Sequence, residues 1–447
     1  MEHEKLYTLK EAAERLRVST KTLQREIGAG KIKTTRVGKK YLIAHGDLEG
    51  YLHHLPGLRE RIRNFTQIHR QEMVNLLQKL VSISSESETD GEERLAVFLK
   101  HKLEELGIRS VIHGQKESVT VQGSFGYADR GFLLDCPLDT TPPGDLKKWT
   151  YPPFDGVIHG GKMFGRGTAD SKGGMVAMIY AVLALKELID EHKVRVELVF
   201  DGGEQNGAYY GMKETLEKGI HAQAGMIGYA GTFEEIGIGA RGYHRYTFNV
   251  RGRSAHTGSR YHGGVNAISN MAKFIREMEQ VRFPKSQNKY FDFGSKLSFA
   301  EIQGGRAMNI VPDLCTARLD VRTLPEFHKR DVDRTIQEVI DRLRKEDKNF
   351  EIDHAYDVGQ EGYVLKETDP PIRALSESIT ECLGNKPLVA VNGPAHIGNL
   401  LYEHKIPMVV FGPKGGHVHS YDEYVEIDSL PLTAEIYANT ILKFFAD

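Results

Sequence analysis

Cysteine is scarce in this chain: three residues in 447, at Cys136, Cys315 and Cys382. They are odd in number and far apart, so neither a disulfide framework nor a paired-cysteine zinc knuckle is expected. Long apolar runs are missing too. The opening stretch MEHEKLYTLKEAAERL has no hydrophobic segment of the signal-peptide kind, and no run approaches the roughly 18 apolar residues that a membrane span requires. These absences argue against secretion and membrane insertion and lead us to expect a cytoplasmic protein.

The apolar fraction is 40%, the charged fraction 27% and the net charge −2. A chain of 447 residues predicts two to four domains with room for a large core. The charge is unevenly placed. Residues 1–63 hold 14 Lys and Arg against 8 Asp and Glu, a balance of +6, so the remainder carries −8. A basic head on an acidic body points to a polyanionic partner for the head, against the plainer reading of a solvated basic face.

The head has a pattern of its own. Thr8 and Glu11 have the spacing of a capping box and open a helix, LKEAAERL, with Leu9, Ala12, Ala13 and Leu16 on one face. After a short turn at Arg17-Val18, Ser19 caps a second helix, TKTLQREI, which stops at Gly28 and Gly30. Two short helices joined this way have the shape of a helix-turn-helix. The next stretch, KIKTTRVGKKYLI, predicts a hairpin around Val37-Gly38-Lys39, and Asp47 caps a third helix, LEGYLHHL. Ser19, Thr20, Lys21, Thr22, Gln24 and Arg25 on the second helix suit base edges in a major groove; Arg36, Lys39 and Lys40 at the hairpin tip suit phosphates. Over residues 1–55 the pattern resembles the winged helix-turn-helix of the excisionase and MerR-like group, which implies a double-stranded DNA partner. A protein-docking helical module is the alternative.

In the body, residues 66–82 and 90–107 read as amphipathic helices. Strand-like runs at 132–134, 194–200 and 408–411 alternate with helices such as 173–190, the rhythm of an α/β sheet. Such sheets carry their sites on loops beyond the carboxyl ends of the strands. Residues 241–355 read instead as strand, helix (about Asn266 to Gln280), two strands (around 297–303 and 314–321), helix (about 329–346) and strand, the order of a ferredoxin-like insert. The expected division is therefore a head at 1–55, a linker at 56–65, an α/β domain at 66–240 and 356–447, and an inserted domain at 241–355.

Six ordered segments, LLDCPLDTTPPGDLKKWTYPPFDG, GRGTADSKGG, VFDGGEQNGAYYG, VRGRSAHTG, AMNIVPD and GPKGGHVHSYDEYV, together resemble the family of acetylornithine deacetylase, succinyl-diaminopimelate desuccinylase, aminoacylase and glutamate carboxypeptidase. The resemblance covers residues 66–447. It implies a zinc-peptidase-like α/β sandwich with an inserted ferredoxin-like α+β lid, which commonly forms a homodimer interface. It also implies two zinc ions bridged by an aspartate and a hydroxide.

On that resemblance Asp170 matches the bridging aspartate, His419 the terminal histidine ligand, Asp139 the aspartate that orients the first histidine, and Glu204 the general base. Three ligand positions differ. Pro137 stands where the first histidine belongs, Gln205 where a carboxylate follows the base, and Tyr229 near the place of a third acid. Cys136 has the wrong strand phase to substitute. Glu234 and Glu235 are the nearest acids to Tyr229. His396 and His417 read as ordinary loop histidines. One metal position keeps Asp170 alone; the other keeps Asp170, His419 and a neutral Gln205. The expectation is no cofactor, or at most one weakly held zinc, cobalt or manganese ion.

The substrate side is better kept. His256, Asn309 and Arg322 sit at family positions that contact the substrate carboxylate or its tetrahedral intermediate, the first two acting across the dimer. Gly412, Gly415 and Gly416 form a loop whose N–H groups suit a carboxylate. Two functions compete. One is a DNA-binding transcriptional regulator whose body binds a small carboxylate or acyl-amino-acid-like ligand without hydrolysis. The other is a one-metal amidohydrolase or peptidase. A structural partner protein with no ligand is a third possibility.

Overall fold

The coordinates are those of a computed structural model. The structure describes residues 6–16, 20–37, 40–44, 47, 57–115, 119–205, 207, 209–260 and 263–446; for 14–16, 36, 37 and 40 only the backbone is described. Two compact units emerge: Met1–Ile236 with Lys366–Val389 and Ile406–Asp447, and Gly237–Leu365 with Ala390–Lys405.

The head opens with a strand not expected from the sequence, Leu6–Thr8 (β1), followed by the helices Leu9–Leu16 (α1) and Thr20–Gly28 (α2). Thr35–Val37 (β2) and Lys40–Ala44 (β3) form the hairpin, and β1 pairs with the other edge of β3. The capping box forms. The Thr8 N–H donates to Glu11 Oε2 at 2.8 Å and the Glu11 N–H to Thr8 Oγ1 at 3.3 Å. Tyr7, Ala12, Ala13, Leu23, Ile32 and Ile43 make a small core. The expected helix at 48–55, the turn at 17–18, Ser19, Gly38 and Lys39 lie outside the described residues, as do the side chains of Arg36 and Lys40.

The stretch expected as a linker is helical from Leu58: Leu58–Ile68 (α3) buries Ile62 and Thr66 and brings Arg63 to the buried Glu435 at 3.2 Å. His69 separates α3 from Arg70–Val81 (α4), so the single helix expected at 66–82 is the end of one helix and the whole of another. Gly91–Glu105 (α5), Arg109–His113 (β4), Thr120–Gly126 (β5) and Phe132–Pro137 (β6) follow. Short strands Val157–His159 (β7) and Lys162–Phe164 (β8) precede the largely buried helix Gly173–Leu188 (α6). Arg195–Asp201 (β9), Tyr210–Lys218 (α7) and Ala224–Ile227 (β10) complete this stretch.

The second unit contains Glu235–Ala240 (β11), Gly242–Arg251 (β12), Ala267–Glu279 (α8), Lys296–Gly304 (β13), Leu314–Thr323 (β14), Lys329–Glu346 (α9), Glu351–Gln360 (β15) and Tyr363–Val364 (β16). Its antiparallel sheet has the order β13-β14-β12-β15, and α8 and α9 close one face over Phe248, Phe274, Leu319, Ile336 and Ile340. This is the ferredoxin-like order read from the sequence. β15 runs past position 355 to Gln360 because it stays paired with β12 as far as Tyr243.

The chain then adds Pro370–Leu383 (α10), Leu388–Asn392 (β17), Ile397–Glu403 (α11), Met408–Val410 (β18), Gly415–Gly416 (β19), Tyr424–Glu426 (β20) and Ser429–Ala446 (α12). In the first unit the main sheet runs β18-β10-β6-β9-β5-β4. β18, β10, β6 and β9 are parallel, and β5 and β4 are antiparallel. β6 and β9 are almost wholly buried, which is why their sequences read as continuous apolar runs rather than alternating ones. The four parallel strands end at Pro137, Asp201, Ile227 and Val410, and the loops beyond them carry the site. Among the described residues, no helix is long and apolar enough to cross a membrane.

Candidate functional site

Four loops converge past these strand ends. Asp139 follows β6, Glu204 and Gln205 follow β9, Tyr229 follows β10 and Gly412 follows β18. Asp139 is fully buried and accepts three bonds: from the N–H of Glu204 at 3.1 Å, the N–H of Gln205 at 2.9 Å and the Ser87 hydroxyl at 2.8 Å. It therefore holds the 204–205 loop. Burial pushes its carboxyl pKa up.

Glu204 is held by Tyr229 and Gln205, two of the three positions where the family resemblance leads one to expect a metal ligand. The Tyr229 hydroxyl donates to its Oε1 at 2.9 Å, and the Gln205 amide donates to its Oε2 at 3.1 Å. Its pKa is raised well above the carboxylate range, first by burial and then by the charges of Asp170 and Asp139.

Across from it, His419 Nε2 meets Asp170 Oδ2 at 2.9 Å. This bond is the first cause of a raised His419 pKa. Asp170 is fixed from behind: Glu423, buried and paired with Arg166 at 2.6 Å, accepts the N–H groups of Ala169 at 2.9 Å and Asp170 at 3.0 Å. The histidine loop is tightly wound, with left-handed backbone at His417 (φ 59°), His419 (φ 59°) and Asp422 (φ 53°). Each costs an L-residue on the order of 1 kcal/mol or more.

These donors do not fit the two zinc ions that the family resemblance implies. Asp170 and His419, the two positions that the resemblance matches to metal ligands, are bonded to each other, and both oxygens of Glu204 are held by protein donors. Pro137 offers no donor atom, and Cys136 turns away to pack its sulfur 3.6 Å from Met178 in the core. Among the described residues no three His, Cys, Asp or Glu side chains gather as a metal-holding group. The geometry supports hydrogen bonding and charge pairing rather than activation of a metal-bound water.

Two buried carboxyls escaped the sequence reading. Asp135 and Asp201 end the runs FLLD and VELVFD on β6 and β9, are fully buried and lie side by side, so that a proton on either carboxyl can be donated to the other. Burial raises both pKa values well above normal; the charge of Glu204 raises Asp135 further and that of Asp135 raises Asp201. An acid closing a strand otherwise buried on both faces was the available signal.

The remaining expected residues separate. His256 and Asn309 lie in the second unit on neighbouring loops, where the Thr257 N–H donates to the Asn309 carbonyl at 3.0 Å. Arg322, on β14, pairs with Asp320 at 2.7 Å in the same unit. Gly412 and Gly415 serve close packing: a Cβ at Gly412 would lie 2.2 Å from the Tyr229 carbonyl, and the Gly415 N–H already donates to the Gly231 carbonyl at 3.3 Å. Gly416 pairs with Tyr424 in β19–β20. His396 is buried, caps α11 by accepting the Gly398 N–H at 3.1 Å, and has its pKa lowered to about 4 by burial. His417 bonds the Asp422 carbonyl at 3.2 Å.

In the head, Thr20, Lys21, Gln24 and Arg25 are exposed as expected. Thr22 is not. It is 4% exposed, because its hydroxyl donates at 3.0 Å to the carbonyl of Glu187 on the body.

Comparison with known proteins matches residues 133–443 to the model of peptidase family M20/M25/M40 and residues 6–55 to that of a helix-turn-helix domain. A probable succinyl-diaminopimelate desuccinylase of Staphylococcus epidermidis is 25% identical over 412 residues, covering 85% of this chain and 99% of the relative. Succinyl-diaminopimelate desuccinylase 1 of Alteromonas mediterranea is 25% identical over 380 residues, 81% of this chain and 94% of the relative. Among solved structures, aminopeptidase PepT of Bacillus cereus superposes with a TM-score of 0.68 at 23% identity, covering 85% of this chain and 99% of that one. Human carnosine dipeptidase 1 superposes with a TM-score of 0.66 at 17% identity over 88% and 100%.

Proposed function

This chain belongs to peptidase family M20/M25/M40, and from that membership we propose that it is a DNA-binding regulator whose peptidase-like body binds a small carboxylate or acyl-amino-acid-like ligand without hydrolysing it. The carrying observation is the closed circuit at the site. Tyr229 and Gln205, two of the three substituted positions, are the residues that donate to Glu204, while Asp170 and His419 neutralise each other. Loss by drift would leave an exposed, unsatisfied acid cluster; here the substitutions complement what remains. The helix-turn-helix match over residues 6–55 supports double-stranded DNA as the head's partner. The body dimerises through its second unit, pairing two heads for two half-sites. His256 and Asn309 serve ligand binding in that dimer.

A second reading has its own support: the relatives' printed names are desuccinylases, and Glu204, Asp170 and His419 persist. It predicts one tightly held divalent ion per chain and turnover of N-acyl amino acids or dipeptides. Elemental analysis of protein purified without chelators, with hydrolysis assays in added zinc, cobalt and manganese, separates the two. The regulator reading expects near-zero metal and no turnover. Turnover that Glu204→Gln abolishes, or two ions per chain, would sink it.

A further inference from the structure

α6 begins at Gly173, directly after the Asp170–Lys172 segment of the site, and ends at Leu188, one residue beyond Glu187, which bonds the head. Its C-terminal end is where α2 docks. The last carbonyls of a helix have no partner within it, and one of them, Glu187 O, accepts the Thr22 hydroxyl at 3.0 Å. The side chain of the same residue pairs with Arg25 Nη1 at 2.9 Å. An acid in the last turn of a helix works against the helix dipole, so α6 itself gains nothing from Glu187; Arg25 is the partner that accounts for it.

Both partners on α2 belong to the face that suits a major groove. Their neighbours Thr20 and Lys21 line a cleft of about 1340 Å³ whose body wall includes Arg109, Lys186 and Lys193. Thr20, Lys21, Gln24 and Arg25 stay exposed, but a recognition helix reads base edges only by entering a groove about 8.5 Å deep; Thr22, buried against the Glu187 carbonyl, cannot face a groove while α2 stays docked.

We infer that this conformation is an autoinhibited one, in which Glu187 of the body latches the recognition helix and the head binds DNA only after α2 leaves it. The inference rests on the reading of the head as a DNA-binding element. The latch is weak by construction: Arg25 is 64% and Glu187 34% exposed, and a pair this open shifts an equilibrium only a few-fold. Its position at the far end of α6 from Asp170, about 24 Å for a 16-residue helix, ties it to the element that starts at the ligand site.

The test uses the full chain and a fluorescein-labelled, randomised 30-base-pair duplex at low salt, read by anisotropy. Glu187→Arg replaces attraction by repulsion and places a favourable cation at a helix C-terminus, so the fold is kept. It should bind the duplex a few-fold more tightly than the wild type, about two- to five-fold. A second variant, Glu187→Gln, removes the attraction without adding a cation that could itself meet DNA, and should also bind more tightly than the wild type. Equal affinity of wild type and Glu187→Arg, with both binding measurably, overturns the latch and leaves the DNA-binding head standing. Failure of wild type, Glu187→Arg and Glu187→Gln alike to bind any duplex overturns the DNA-binding reading itself, and the latch with it.

Discussion

The Tyr229 hydroxyl is a donor where a metal ligand would have to be an acceptor, and it spends that donor on Glu204. Tyr229→Phe leaves one oxygen of a buried acid without its donor and should cost about 1–3 kcal/mol of stability, read from urea denaturation. Reversal is the stronger test. Pro137→His, Gln205→Glu and Tyr229→Asp together should return divalent-metal binding, measured as ions per chain, where the unaltered chain holds almost none. If the triple variant folds and still binds none, the site differs from the family's by more than its ligands. Protonation gives an independent check. Burial raises the pKa of Glu204, Asp139, Asp135 and Asp201, and the Asp170 bond raises that of His419. A group whose folded pKa exceeds its unfolded value contributes stability that is whole below the unfolded value and lost as pH climbs through the folded one. For His419 the loss begins near the ordinary histidine value of about 6.5; for the carboxyls it begins lower. These five signs agree, but burial lowers the pKa of Lys172 to about 7 and that of His396 to about 4, and both of these add stability as pH rises. The site is therefore read from the difference between wild type and His419→Gln: the stability that His419 contributes should shrink as pH rises from about 6.5 to 9, and a difference that grew over that range would contradict the assignment.

At the scale of elements, the strands and helices that carry the site were legible because their cause is local. FLL, VRVELVF and MVVF are apolar runs long enough for buried parallel strands and too short for helices, and β6, β9 and β18 formed there. The insert was readable for the same reason, as the periods of α8 and α9 alternate with those of β12 to β15. Where the cause is a distant partner, the sequence was silent. α3 is rich in arginine and reads as linker until Arg63 meets Glu435, 372 positions away. Thr22 reads as an exposed base-reader until Glu187 covers it. The ligand losses at Pro137, Gln205 and Tyr229 were visible, but the bonds that Tyr229 and Gln205 make to Glu204 were not. The glycine loop shows the same division. GPKGG reads as an anion cradle, yet Gly412 is required by the Tyr229 carbonyl lying where its Cβ would go. Gly412→Ala should therefore displace the Tyr229 segment and cost about 1–3 kcal/mol in thermal or denaturant unfolding. A loss of ligand binding with stability unchanged would restore the cradle reading.

For the whole molecule, the uneven charge and the proposed dimer meet in one measurable quantity. On the proposed reading each head offers up to five cations to phosphates, Arg36, Lys39 and Lys40 of the hairpin together with Lys21 and Arg25 wherever these take a phosphate in place of a base edge, while the body carries a net −8 and adds repulsion rather than contacts. Each phosphate neutralised on a duplex contributes about −0.9 to the slope of log affinity against log salt. One engaged head then gives a slope of about −4 to −5, and two heads of a dimer about −9. The slope counts heads without knowledge of the operator, because the phosphate term does not depend on sequence. Titrating a labelled duplex between about 50 and 200 mM salt, with the oligomeric state followed by light scattering, should give the steeper value for a dimer that places both heads on DNA. A dimer in solution with the shallower slope would mean that only one head reaches DNA at a time, and the half-site pairing would have to be abandoned. A chain beginning at Gly57, which removes the head and keeps α3, should lose the salt-dependent binding and keep the dimer, because dimerisation is assigned to the second unit.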